Sequence, residues 1–279
     1  MLVESSLTIR CGAAVYWSVS PWNDTERLNK GLVALGFNPI DTTPPATALR
    51  RAAQSVAESR DLVRPLSRKG AWEFVREELD VSTQRLTHRG LLRVVQRDID
   101  VYDPLSAIEL LDPDAAPLAQ KIALTFSEYL KTTPAQAVAA YILDYMKRWK
   151  GVTLRDKGGV YYVSEPYVEQ LKQLQQVLEF HSDCRLWTIP CLQDKDTVDA
   201  VTSAIVDDIT AQLADVTDYI LQDKQRADGI ATQETRVRDM VTKLEHYQTV
   251  LGLNVDKTRD ACTEALAKLG ELMLVSVSA

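Results

Sequence analysis

Between Val198 and Ile220 the residues Val198, Val201, Ile205, Ile209, Leu213, Val216 and Ile220 make six steps over 22 residues, about 3.67 per step. That period keeps them in one stripe along an α-helix and fits it better than a strict heptad of 3.5. A long amphipathic helix buries its stripe against something, so a chain with this segment needs a helical core or a partner. Asp228-Gly229 predicts a turn, followed by helices over about 233–251 and 254–272. The last third therefore reads as a C-terminal helical hairpin with an extra helix, and its expected use is homo-oligomerisation or docking of a partner.

The same third carries the chain's charge imbalance. The net charge is −7, yet residues 1–191 hold 23 Lys+Arg and 23 Asp+Glu, whereas 192–279 hold 9 basic and 16 acidic residues. A charge-balanced body with an acidic tail does not exclude a nucleic-acid partner; it predicts that the tail faces away from one.

With 279 residues and 46% hydrophobic side chains, the rest of the chain has material for sizeable cores. Leu7–Val19 is β-branched and aromatic and reads as a strand. Asn23 or Asp24 caps a helix with Leu28, Leu32 and Leu35 on one face and Gly36 at its stop; a second helix covers about 46–59. Leu62–Ser67, Ala71–Leu79 and Leu86–Val95 then predict a small antiparallel sheet, with Arg68-Lys69-Gly70 as a hairpin loop. Trp72, Phe74 and Val75 compete for its inner face. These elements make an α+β domain over 1–112, ending at an Asp112-Pro113-Asp114 linker.

A helix over about 116–131, expected to bury Ile122, Leu124, Phe126 and Leu130, opens a second unit over 115–191. Thr133-Pro134 starts the next helix, which Gly151 stops, and a β-hairpin turns at Asp156-Lys157-Gly158-Gly159. Helix, Thr-Pro helix, hairpin is the element order of a winged helix. A further helix from Glu165-Pro166 and a strand from Cys184 to Cys191 precede the acidic tail, residues 192–279. The expected fold class is thus α+β and helix-rich: a small antiparallel sheet domain, a winged-helix-like middle unit and a C-terminal helical hairpin.

Two basic surfaces are candidate nucleic-acid or anion sites. Lys147, Arg148, Lys150, Arg155 and Lys157 cluster at the end of the Thr-Pro helix and on the hairpin, beside Trp149, Tyr161 and Tyr162. Cations at a helix C-terminus also complement its dipole, a purely structural reason for the same residues. Arg85, Arg89, Arg93 and Arg97 recur every four residues, which puts them on one face of a strand or helix. Their guanidinium forks suit phosphate or carboxylate, and an acidic protein, or the acidic tail of the same chain, is the other expected partner.

Enzymatic motifs are missing: the sequence has no Gly-x-x-x-x-Gly-Lys-Ser/Thr, Gly-x-Gly-x-x-Gly, Gly-x-Ser-x-Gly or His-Glu-x-x-His. His88, His181 and His246 are scattered, and Cys11, Cys184, Cys191 and Cys262 include no Cys-x-x-Cys pair, so neither a catalytic site, a metal nor a cofactor is expected. The first residues lack a signal-peptide pattern and no run is long and apolar enough for a membrane helix. Free thiols without an export signal point to the cytoplasm.

The stretches VYWSVSPWNDTERLNKGLVALGF, TALRRA, RDKGGVYYVSEPYVEQLKQLQQVLE and RLWTIPCLQD, in that order, resemble a family of uncharacterised phage, plasmid and bacterial proteins. Gly158-Gly159-Val160-Tyr161-Tyr162-Val163, a Gly-Gly-Val-Tyr-x-Val motif, is the most recognisable part. The resemblance implies a mobile-element setting, a bacterial host and a shared architecture, and no activity, cofactor or site. The expectation is a non-enzymatic protein that binds nucleic acid or an acidic partner through its basic faces. The alternative is a structural or inhibitory protein–protein interaction module that touches no nucleic acid.

Overall fold

The computed structural model describes residues 9–67, 71–80, 85–95, 99–155, 159–222 and 225–278. It is a helix-rich α+β protein in two compact units, both discontinuous in sequence. One unit is Met1–Val19, Ala139–Glu179 and Cys184–Ala279; the other is Ser20–Val138 with Phe180–Asp183. The sequence alone reads as three consecutive segments, 1–112, 115–191 and 192–279.

The first unit is organised around β1 (Arg10–Ser18), which pairs antiparallel on one side with β10 (Arg185–Leu192) and on the other with β9 (Tyr161–Ser164). β8 (Val152–Thr153) completes the order β10-β1-β9-β8. The first strand therefore does not belong with the sheet nearest to it in sequence. Its residues Ala13 and Val15 are fully buried, and their small or β-branched side chains suit a central strand. Where β1 meets β9 the backbones come close: a Cβ on Gly12 would lie 2.4 Å from the carbonyl oxygen of Val163 and 2.7 Å from the Tyr162 ring. The Tyr162 hydroxyl, fully buried, donates to the Cys11 carbonyl at 2.7 Å.

The acidic helices are built into this unit. They are α6 (Lys195–Ile220), α7 (Ala227–Leu251) and α8 (Asp256–Ser278). Val201, Ile205, Ile209 and Val216 of the apolar stripe on α6 share one core with Met240, Leu244 and Tyr247 of α7, with Cys262 and Leu269 of α8, and with Val152 and Tyr162 of the sheet. Val198, Leu213 and Ile220 pack partly buried against the same core, so the stripe lies against helices and sheet of its own chain. Asp228-Gly229, read from sequence as a turn, lies inside the first turn of α7, where an acid complements the helix N-terminus.

In the second unit, β3 (Asp61–Pro65), β4 (Ala71–Asp80) and β5 (Arg85–Val95) form the expected antiparallel sheet, and β6 (Ile108–Leu110), which the sequence reading does not include, extends it in sequential order. Helices α2 (Pro45–Val56) and α3 (Ala116–Leu130) pack on it, with Leu49, Ala52 and Ala53 of α2 and Ile122 and Phe126 of α3 meeting Trp72, Phe74, Leu92 and Val94. Leu124, expected in this core, is 75% exposed. Asp112, expected in a linker, is buried: its side chain accepts the Asp114 amide and pairs with Arg89, so the unit continues through α3.

Also in this unit, β2 (Trp22–Asp24) pairs with β7 (Thr132–Pro134), and buried Thr25 and Thr133 share a 2.8 Å hydrogen bond. α1 (Thr25–Ala34) leaves this short ladder with the Asp24 side chain accepting the Arg27 amide at 2.9 Å, so that of the two caps the sequence offers, Asn23 and Asp24, it is Asp24 that caps. α4 (Ala135–Arg148) follows β7, and α5 (Val168–His181) follows β9. The winged-helix expectation is met in element order only, since α3 belongs to one compact unit and the β8–β9 hairpin to the other.

Candidate nucleic-acid interface

α4 ends in a way the sequence did not suggest. The Lys150 amide donates to Lys147 and the Gly151 amide to Met146, at 2.9 and 2.7 Å, which is the paired hydrogen-bond pattern of a Schellman stop. The left-handed position of that motif, normally glycine, is Lys150 with φ 56°, and not Gly151. A side chain there costs about 1–2 kcal/mol relative to glycine. The surroundings hold it in place: the Tyr247 hydroxyl donates to the Lys150 carbonyl at 2.9 Å, and Lys150 Nζ donates to the Thr242 carbonyl at 3.2 Å.

Beside this stop lies a cleft of about 640 Å³. Lys147, Arg148 and Lys150 line it from the α4 end, Thr153 and Tyr161 from the hairpin, Asp208 and Gln212 from α6, and Arg236, Asp239 and Lys243 from α7. Leu143, Met146 and Met240 give it apolar lining. The acidic tail thus does not face away from the basic cluster; α6 and α7 form the cleft's other wall and add two cations of their own.

Several of these charges are already compensated. Arg148 pairs with Asp144 at 2.7 Å, Lys243 with Asp208 at 2.9 Å, and Arg236 with Asp215 at 2.9 Å. Lys150 contacts a neutral carbonyl, and Lys147, exposed, has no ion pair among the described residues. Arg155 stands exposed on the hairpin, two residues beyond Thr153. Lys157 lies outside the described residues. Among the described residues, the cations of this cluster without a carboxylate partner are therefore Lys147, Lys150 and Arg155, and the negative end of the α4 dipole accounts for part of the preference for cations here.

The arginine face does not survive as one surface. β4 and β5 pair Glu73 with Arg93 and Phe74 with Leu92, but the register then slips so that Val75 meets Gly90 and Arg76 meets Arg89, leaving Leu91 unpaired. Arg89 and Arg93 thus stand opposite residues three apart on β4, which places them on opposite faces of the sheet. Each has carboxylate partners. Arg93 sits between Glu73 at 3.4 Å and Glu109 at 3.6 Å, which flank it in register on β4 and β6, and Arg89 pairs with Asp112 and, at 3.7 Å, with Glu78. Only the backbone of Arg85 is described, and Arg97 lies outside the described residues.

The three histidines occupy three separate surroundings. His88 lies 3.8 Å from Glu77, and His181 packs where a Cβ on Gly31 would be 2.3 Å from its ring. His246, 82 residues from Ser164 in sequence, is hydrogen-bonded to the Ser164 hydroxyl at 2.8 Å. Sequence spacing gives no sign of this contact. Burial, and then the Lys150 charge, hold His246 below its usual pKa. Ser164 is fully buried and neither residue borders the cleft, so the pair ties β9 to α7 and offers no nucleophile to a substrate. All four cysteines are free thiols, and burial pushes those of Cys191 and Cys262 up, away from the reactive thiolate. Among the described residues no group of three or more His, Cys, Asp or Glu is placed to hold a metal ion, and no helix is long and apolar enough to cross a membrane.

Comparison with known families gives a match to the family described as "Family of unknown function (DUF6744)", over residues 11–277. The chain belongs to this family. The DUF6744 match spans β1, the inserted sheet unit, the cleft and all three tail helices, which agrees with the similarity to an uncharacterised family carried by the Gly-Gly-Val-Tyr-x-Val stretch. No curated protein and no solved structure matches this DUF6744 chain.

Proposed function

We propose that this protein binds nucleic acid, without catalysing a reaction, in the cleft between the α4 end, the β8–β9 hairpin and α7. The observation that supports the reading best is the convergence of Lys147 and Lys150, neither paired with a carboxylate among the described residues, on a concave site beside Arg155. Lysine contacts of this kind take phosphate oxygens and release counterions, which gives affinity without reading base sequence. The setting is the cytoplasm of a bacterial host carrying a phage or other mobile element, as the family resemblance implies. An acidic protein surface is the competing ligand for the same charges.

The test is a titration of labelled DNA and RNA with the full chain at two salt concentrations. Binding should weaken steeply with salt, and replacing Lys147, Lys150 and Arg155 together by Ala should weaken it further and flatten the salt slope by up to about three charges. Absence of binding at low salt would remove the proposal.

A specific observation favours the alternative reading as a protein-interaction module. On β1 and the edge strand β10, Tyr16 and Trp187 stack at 5.0 Å and are each 37% exposed, next to Ile189 at 54%. An aromatic and aliphatic group beside a sheet edge that is unpaired among the described residues is a surface that protein partners use. Replacing Trp187 and Ile189 by Ser would leave nucleic-acid binding intact and abolish capture of a partner held there.

A further inference from the structure

We infer that the cleft takes an unpaired nucleotide of a single strand, its base stacked at Tyr161, in preference to a duplex; this rests on the reading of the cleft as a nucleic-acid site. Shape and lining supply the first argument. The concavity of about 640 Å³ is of the size that encloses a compact organic group, and Leu143, Met146 and Met240 give it apolar lining. A duplex keeps its bases stacked and paired inside and presents only phosphate and sugar to a rim of cations. It has nothing to place in such a cavity. An unpaired base has a flat apolar face that fits it.

The second argument is the aromatic pair at the cleft. Tyr161 on β9 borders it, and its ring stacks on Trp17 of β1 with centroids 5.1 Å apart and planes 16° from parallel. Val15 is the direct partner of Tyr161 in the register, so Trp17 reaches it diagonally, a contact open to long aromatic side chains. This stack holds the Tyr161 ring in a fixed plane before any ligand arrives, so little side-chain freedom remains to be lost when a base joins it.

The third argument is the position of the cations relative to that ring. Lys147 and Lys150 line the same cleft as Tyr161, so phosphates flanking a base at Tyr161 have cations within the site. Lys150 occupies a backbone conformation that glycine adopts without strain, and its ammonium group contacts only a backbone carbonyl among the described residues. A strained residue whose side chain is directed to a cleft is what a binding role accounts for and a helix stop does not. Basic side chains interleaved with stacking aromatics are the means by which proteins hold single strands.

The experiment compares the full chain's affinity for a fluorescein-labelled DNA single strand of about 20 nucleotides, for a duplex of the same sequence and for polyglutamate, at about 50 and 200 mM salt. The strand should bind at least about tenfold tighter than the duplex. Tyr161→Ala should weaken strand binding about 5- to 150-fold and leave duplex binding unchanged, while Tyr161→Phe, which keeps the ring, should stay within about twofold of the parent. The ratio for the unmodified protein decides the matter even if the alanine variant does not fold. Equal affinity for strand and duplex, or strand binding indifferent to Tyr161→Ala in a folded variant, overturns this inference and leaves nucleic-acid binding standing. Polyglutamate bound as tightly as the strand, or no DNA bound at the lower salt, removes the nucleic-acid reading itself and this inference with it.

Discussion

The Tyr247 hydroxyl donates to the carbonyl of Lys150, 97 residues earlier in the chain, and so fixes the left-handed stop of α4 to the side of α7. Backbone conformation and binding surface are linked at this one residue. Lys150→Gly should raise stability by about 1 kcal/mol in chemical denaturation, because glycine relieves the left-handed strain, while weakening DNA binding through loss of the charge. Lys150→Ala keeps the strain and should not gain. Tyr247→Phe, which leaves the carbonyl without its buried donor, should cost about 1 kcal/mol.

The approach of β1 to β9 makes a second pair of variants informative. Gly12→Ala would drive a methyl group against the Val163 carbonyl, which is backbone and cannot rotate aside, and against the Tyr162 ring. A loss of about 3 kcal/mol is expected, as for an overpacked core. Tyr162→Phe removes only the hydrogen bond to Cys11 and should cost about 1 kcal/mol. Thermal melts of the two variants should therefore separate clearly, with Gly12→Ala the lower.

His246 predicts a pH dependence near neutrality. Its neutral form is favoured in the folded protein by burial and then by Lys150, with Ser164, Tyr167 and Tyr247 as its other neighbours. Its folded pKa lies below the unfolded value of 6.5, so the unfolded chain takes up the proton first as pH falls. Stability from this group is complete above pH 6.5 and declines, by at most about 1.4 kcal/mol per pH unit, until the folded pKa is reached. Denaturation midpoints measured from pH 8 downwards should show that decline, and His246→Gln should reduce it.

Asp61 predicts a separate acid transition. Its side chain is fully buried on β3, and Arg76 on β4 grips it with Nε at 2.7 Å and a second nitrogen at 3.1 Å. Burial alone would raise the carboxyl, but the Arg76 hydrogen bonds, the Glu58 amide and the guanidinium charge outweigh it and hold the pKa below 3.8. The stability this contributes is present above pH 3.8 and is lost as pH falls through the folded value. Arg76→Met leaves the buried carboxylate unpaired at neutral pH and should cost about 3 kcal/mol there, a penalty that shrinks in acid as the carboxyl protonates.

The local elements were legible because local rules write them. The Asp24 cap, the 61–95 hairpins and the 3.67-residue stripe on α6 all rest on side chains acting within a few positions of themselves. Pairing across the chain was not legible: nothing in LTIRCGAAVYWSV states that its partners are Tyr161–Ser164 and Arg185–Leu192. The arginine repeat misled for a related reason. Four-residue spacing survives in an ideal strand, and the single unpaired Leu91 turns Arg93 away from Arg89. At the candidate site, Lys147, Arg148 and Lys150 could be picked out as a basic group, but the α6 and α7 wall depends on tertiary packing that the tail's net acidity concealed.

The central position of β1 also sets a timetable for synthesis. Ser18 finds its partner at Arg185, about 170 residues later, and at about 5–20 residues per second a ribosome needs roughly 10–30 seconds to supply it. The stretch Ser20–Val138, nearly all of the inserted unit, emerges uninterrupted in that interval. Nascent chains stalled before residue 161 should then hold a protease-resistant fragment from this stretch while Val15 and Trp17 remain open to chaperones, and protection of β1 should arise only after Leu192 has left the exit tunnel.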